Sequence, residues 1–221
     1  MKKNGLFGIL FLIVILLFLA SAAFSEIISE AYPVSRCIAL TFDDGPSPAI
    51  TPIILQTLAK FGARATFFVT GENAQNYPYI LSEAAKLGNE IGDHTDNHPN
   101  LSGLGNAAVI RQIARTQKII STITGLEAVV FRPPYGAVNK MTAGLAQSLG
   151  LKTILWSVDP RDWQDPSPRT IASRILSAIK AGDIVLMHDT HRNTALALPR
   201  ILEGLRLKGL QPVTVSELLN K

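Results

Sequence analysis

Thr41-Phe42-Asp43-Asp44-Gly45-Pro46 sets two carboxylates side by side in a turn. Adjacent acids can divide labour, because they point in different directions and meet different surroundings. One can bind a cation while its neighbour accepts a proton. Downstream, His94-Thr95-Asp96-Asn97-His98-Pro99 places two imidazoles four residues apart. On a turn of helix that spacing puts both on one face, where they can grip one metal ion. Two histidines and a carboxylate from another segment make a three-ligand set with an open position. Such a set suits one divalent ion, zinc first, with cobalt, manganese and nickel as alternatives. A hydrolase needs the open position, because coordination lowers the pKa of water from about 15.7 to about 7.

Further groups fit the same chemistry. Arg132, in Arg-Pro-Pro-Tyr-Gly, can pair with the base and hold it ionised. The backbone at Tyr135-Gly136 can offer an N–H to a developing oxyanion. His188 is the candidate acid for a leaving group, and Asp162 can orient it and hold it protonated. Trp163 offers a stacking surface for a sugar ring. Asp189 reads as a turn or helix-cap residue, and His191 as an exposed loop histidine.

These groups must be held by elements, and the pattern supplies them. Short apolar, β-branched runs read as strands at 36–40, 65–70, 89–92, 128–131, 152–158, 183–187 and 211–213. Apolar-periodic runs read as helices at 51–61, 77–87, 107–124, 141–149, 168–181 and 196–207, with a last turn or helix at 215–219. Gly62, Gly88, Gly125, Gly150 and Gly182 close five of them. Strict alternation implies a parallel sheet, and seven βα units in one domain imply a barrel, with a doubly wound open sheet as the alternative. Each candidate group then stands just after a strand, so all collect on one face.

The chain has 221 residues and is 47% hydrophobic, which suits one domain and a small extra segment. Lys2 and Lys3, the apolar run 6–19 and Ala20-Ser21-Ala22-Ala23 form a signal-peptide pattern, with an uncleaved anchor as the rival. Residues 1–23 are therefore assigned to a signal peptide or membrane anchor, 24–34 to a linker and 35–221 to the domain. In either case the domain is exported. Removing residues 1–22 takes away two lysines and no acid, so 19 cationic residues face 17 acidic ones, a net charge of +2. That is no footprint for nucleic acid. The single cysteine, Cys37, can form no internal disulfide and reads as a small buried hydrophobe.

Five segments, in order, resemble the motifs of the polysaccharide deacetylase family, also called the NodB-homology domain or carbohydrate esterase family 4. They are Thr-Phe-Asp-Asp-Gly-Pro at 41–46, His-Thr-Asp-Asn-His-Pro at 94–99, Arg-Pro-Pro-Tyr-Gly at 132–136, Asp-Pro-Arg-Asp-Trp at 159–163 and Leu-Met-His-Asp at 186–189. The resemblance implies an α/β fold, a distorted (β/α)7 barrel in a single domain, and a metal-dependent glycan deacetylase. It implies that Asp43 is the general base, that Asp44, His94 and His98 bind the metal, and that Arg132 orients Asp43. It further implies that the Tyr135 backbone helps to hold the oxyanion, that Asp162 tunes the acid His188, and that Leu186 and Trp163 line the pocket for the acetyl methyl.

The expected reaction is removal of N-acetyl groups from N-acetylglucosamine in an extracytoplasmic polymer, peptidoglycan first, with chitooligosaccharide and acetylated xylan behind it. The expected species is a monomer that meets the membrane only through an uncleaved leader. A barrel that merely binds wall glycan is the rival from another class. A metallopeptidase finds no support, since His-Glu-x-x-His is missing.

Overall fold

The structure, a computed structural model, describes residues 26–33 and 35–220. The expected signal or anchor segment, residues 1–23, lies outside the described residues. Among the described residues no helix is long and apolar enough to cross a membrane.

Eight strands form one sheet: β1 (Ile27–Ile28), β2 (Cys37–Asp43), β3 (Thr66–Val69), β4 (Glu90–Asp93), β5 (Val130–Phe131), β6 (Lys152–Ile154), β7 (Ile184–His188) and β8 (Gln211–Val213). Between them run α1 (Thr51–Lys60), α2 (Gly71–Asn76), α3 (Pro78–Lys86), α4 (Asn106–Thr124), α5 (Lys140–Ser148), α6 (Pro168–Ala178) and α7 (Arg192–Leu207), with α8 (Val215–Leu219) last. Strands β6-β5-β4-β3-β2-β7 pair in that order and every ladder is parallel, as strand–helix alternation requires. β8 joins the first three residues of β2. The ring closes between β6 and β7 through one bridge, Val158 to Val185. This is the distorted barrel, with seven βα units from β2 to α8.

Side chains alternate along each strand. On β2, Ile38, Leu40 and Phe42 pack outward with Phe67, Val69, Ile91, Phe131, Val185 and Met187 under the helices. Cys37 and Ala39 pack inward with Phe68, Val130, Ile154 and Ile184. The inward parity continues to Thr41 and Asp43 on β2, to Arg132 after β5, and to Leu186 and His188 on β7. One alternation therefore fills the barrel with small apolar groups below and delivers functional groups above.

Three of the departures from the sequence patterns fall at β1, β6 and α6. Residues 24–34, read as a linker, contribute β1, which pairs with β6 at Thr153 and Ile154. The strand expected over 152–158 leaves the ladder after Ile154, because Arg132 takes the carbonyls of Ile154 and Leu155 (3.4 and 2.9 Å). The helix expected to reach residue 181 stops at Ala178, since Ile179 turns extended and the Lys180 amide donates to Asp183 Oδ2.

Candidate active site

Asp43, the last residue of β2, is buried. Its Oδ1 accepts from Arg132 Nη1 at 2.7 Å, and the same nitrogen donates to Thr41 Oγ1 at 2.6 Å. Arg132 is 0% exposed and lies over the Phe68 ring, 4.2 Å from its centroid. Burial draws the guanidinium's pKa down, and the Asp43 carboxylate works against that shift. A buried arginine needs such a set of acceptors, because an unpaired buried charge is prohibitively costly.

Asp44 turns the other way at a φ of 75°. Its Oδ1 lies 3.4 Å from His94 Nε2 and 3.3 Å from His98 Nε2. That oxygen is buried and has no hydrogen-bond partner. His94 Nδ1 lies 2.7 Å from the Arg132 carbonyl oxygen. A proton on Nδ1 satisfies that carbonyl and leaves the Nε2 lone pair facing Asp44. One ligand atom each from Asp44, His94 and His98 lie within 4.8 Å of one another. Two imidazole nitrogens and an orphaned carboxylate oxygen fit a divalent ion of the zinc type. Burial opposes the charge on Asp44, but the neighbouring imidazoles, His94 foremost and then His188 and His98, bring its pKa down to about 2. Burial and the neighbouring His94 lower that of His98.

The two histidines do not share a helical turn, as their spacing suggested. His94 follows β4, and residues 94–100 form a loop in which Thr95 (φ 68°) and His98 (φ 59°) are left-handed. Local bonds hold it: Asp93 Oδ1 accepts from the Thr95 amide, and Thr95 Oγ1 from that of His98. Gln112 Oε1 on α4 accepts from the amides of Asp96 and Asn97. A loop pinned to a helix, not a helical turn, brings the two imidazoles together.

His188 ends β7 in register with Asp43. Its Nδ1 lies 2.8 Å from Asp162 Oδ1, and its amide donates to Asp162 Oδ2. Thr194 also donates to Asp162 Oδ2, at 2.6 Å. Burial would lower the His188 pKa, yet the bond to Asp162 and the charges of Asp162, Asp43 and Asp44 raise it to about 9. Burial would raise that of Asp162, but His188 and Thr194 together draw it down.

A cavity of about 510 Å³ joins these groups. Tyr135, Trp163 and Leu186 line it, together with Trp156 and Asp159. Tyr135 stands at φ 62° with its ring edge-on to His98, 4.6 Å between centroids. The amides of Gly136 and Ala137 are used by the carbonyls of Pro133 and Pro134. Tyr135 and Trp163 are exposed at the mouth. Eight of the ten site residues singled out in the sequence line this cavity, and the other two, Arg132 and Asp162, stand behind Asp43 and His188. Sequence reasoning missed Thr41, Trp156 and Gln112. Thr41 was within reach, since it shares the inward parity of Asp43.

The polysaccharide deacetylase family matches residues 31–154. The chain belongs to that family. It is 40% identical over 189 residues to a peptidoglycan-N-acetylglucosamine deacetylase of Bacillus cereus (strain ATCC 14579), covering 83% of this chain and 88% of that one. It is 42% identical to peptidoglycan-N-acetylmuramic acid deacetylase PdaC of Bacillus subtilis (strain 168), across 84% of this chain but only 39% of the relative. This family member thus spans about two fifths of the length of PdaC. A solved structure of peptidoglycan deacetylase PdaC from Bacillus subtilis superposes with a TM-score of 0.80 at 42% identity, covering 86% of this chain and 93% of that one.

Proposed function

We propose that this polysaccharide deacetylase family member is a metal-dependent hydrolase that removes N-acetyl groups from N-acetylglucosamine in an extracytoplasmic polysaccharide, peptidoglycan first. The observation that carries this reading is the orphaned Asp44 Oδ1 facing two imidazole nitrogens, beside an Arg132-bound Asp43 and an Asp162-bound His188. The substrate class follows the family and the names of the relatives. Work on a wall polymer fits a leader that exports the domain.

Asp44, His94 and His98 hold the divalent ion, zinc by donor type. When bound, that ion supplies Lewis acidity toward water and the acetyl carbonyl. Asp43, paired with Arg132, accepts the proton of the attacking water. The Tyr135 amide donates toward the oxyanion that develops on the carbonyl. His188, kept protonated by Asp162, gives its proton to the departing amine. Trp163 and Leu186 line the space for the acetyl methyl. A barrel that only binds glycan has no use for two separate ion pairs, one holding a base and one holding an acid.

The test is acetate release by the purified protein. Peptidoglycan, an N-acetylglucosamine oligomer and acetylated xylan are each offered with chelator, then with zinc or cobalt restored. The expected result is metal-restored release from the substrates that carry N-acetylglucosamine, and its loss in His94→Ala. No release from any polymer by metal-loaded protein would sink the reading.

A further inference from the structure

Asp189 is a buried carboxyl group for which the proposed chemistry has no role. It follows His188, is 0% exposed, and its amide donates to the Asp43 carbonyl at 3.3 Å. Its Oδ2 accepts from Thr51 Oγ1 at 2.6 Å. Thr51 Oγ1 in turn accepts from the Ser47 amide at 2.7 Å. The carboxyl also packs flat against Gly45, where a Cβ would stand 2.1 and 2.2 Å from its two oxygens. A single side chain thus touches Gly45 directly and holds Ser47 through Thr51. It braces the turn that follows the aspartate pair from inside.

That turn needs bracing. Asp44 is left-handed, a conformation that costs a non-glycine residue free energy and persists only where its surroundings impose it. The other ties are Asn73 Nδ2 to the Asp44 carbonyl at 2.7 Å and the Thr70 amide to the Gly45 carbonyl at 3.1 Å. Both act on the turn through its backbone carbonyls. Core filling alone does not explain Asp189, because an apolar side chain would fill the space without the cost of burying a carboxyl group.

We propose that Asp189 is a positioning residue for the metal-binding carboxylate: through Gly45 and Thr51 it fixes the 43–47 turn, and with it the direction of Asp44 Oδ1. This rests on the reading of Asp44, His94 and His98 as metal ligands. It also makes β7 carry both the acid at 188 and the brace for the ligand turn on β2.

The experiment uses the full chain, stripped of metal. Zinc affinity is read by competition with a chromophoric chelator, beside a thermal melt and the kcat and KM for acetate release. Asp189→Ala is expected to weaken zinc binding about tenfold or more, the usual size for a group behind a ligand, and to lower kcat with KM little changed. Asp189→Asn keeps the volume and an oxygen for Thr51, and is expected to bind zinc within about threefold of the parent. Thr51→Val keeps the shape without the hydroxyl and is expected to weaken binding in the same direction. The double variant D189A/T51V is expected to bind no more weakly than D189A. A folded D189A that binds zinc within about twofold of the parent, or single losses that multiply in the double variant, would overturn the proposal. Should D189A not fold, unchanged zinc affinity in T51V would overturn it as well. Zinc binding is read without substrate, so a parent that binds zinc but releases no acetate fails only the functional reading. A parent that binds no zinc fails both.

Discussion

Asp162 and His188 form one titrating unit, and the pH dependence of the reaction should report it. The shift to about 9 includes the charges of Asp43 and Asp44, so with a cation at Asp44 the alkaline limb of kcat/KM is expected between the ordinary 6.5 and about 9. A cation at Asp44 offsets the contributions of Asp43 and Asp44, which leaves Asp162 in control. Asp162→Asn should therefore move the limb down by at least about one unit and cut kcat about 100-fold, within the usual range for a general acid; pH profiles of both proteins check this. The pair also stabilises the fold, and the sign follows from the two shifts. The contribution of His188 is complete below its ordinary value of 6.5 and fades as pH rises through about 9. That of Asp162 is complete above its ordinary 3.8 and is lost as pH falls through its depressed folded value. Stability from the pair is thus greatest between those ordinary values, and thermal melts across pH should show a corresponding loss in D162N. At this scale the sequence was highly legible. Residue types at strand ends singled out the groups that the fold brings together, and the family resemblance proposed how Asp43 and Asp44 divide the work. It did not show how these groups are braced. Asp189 read as a turn or cap residue because its partners, Gly45 and Thr51, lie more than 130 positions away.

Strands carried clear signals because apolar runs record burial directly. Loops did not, because their shape depends on distant partners. The His94–His98 spacing matched a helical turn, yet the segment is a loop anchored by Gln112, sixteen residues beyond Asp96. β6 ends early because a guanidinium from the neighbouring strand takes its carbonyls, which no pattern within residues 152–158 records. α2 went unread, since a six-residue Gly-Glu-Asn-Ala-Gln-Asn helix has almost no apolar period. Gln112→Ala removes the acceptor for two loop amides, and should weaken zinc binding about tenfold while leaving the melting temperature nearly unchanged. Gly92→Ala would place a Cβ 2.6 Å from the Phe68 ring and 3.0 Å from Val130 in the barrel interior. Overpacking of that kind should destabilise the protein by about 1–3 kcal/mol in a denaturant titration.

The barrel as a whole is least secure where β6 meets β7, at its single bridge. The segment before β2 spans that seam. β1 pairs with β6, the Leu155 amide donates to the Ile28 carbonyl, Glu30 bridges Asp183, and the Ala31 amide donates to the Gly182 carbonyl. Deleting residues 26–33 should lower the melting temperature by about 5 °C, the equivalent of roughly 2 kcal/mol for a chain of this size. An unchanged melt would show that the seam holds without them. Arg132 is the opposite case, a single side chain that ties the ring from within. It binds Thr41 and Asp43 of β2, the carbonyls after β6, and the face of Phe68 on β3. Arg132→Met leaves Asp43 buried and unpaired, and should cost about 3–5 kcal/mol, a large share of the total stability of a domain. On the proposed reading, folding and turnover depend on the same guanidinium, while His98 and Asp44 keep about a quarter to a third of their side-chain surface open to water. A descendant of this chain could shed its chemistry by drifting at 44 or 98 and still inherit a sound barrel, but not by drifting at 132. An arginine preserved at that position in a genome is then a record of selection for folding, and by itself no sign that the copy is still an enzyme.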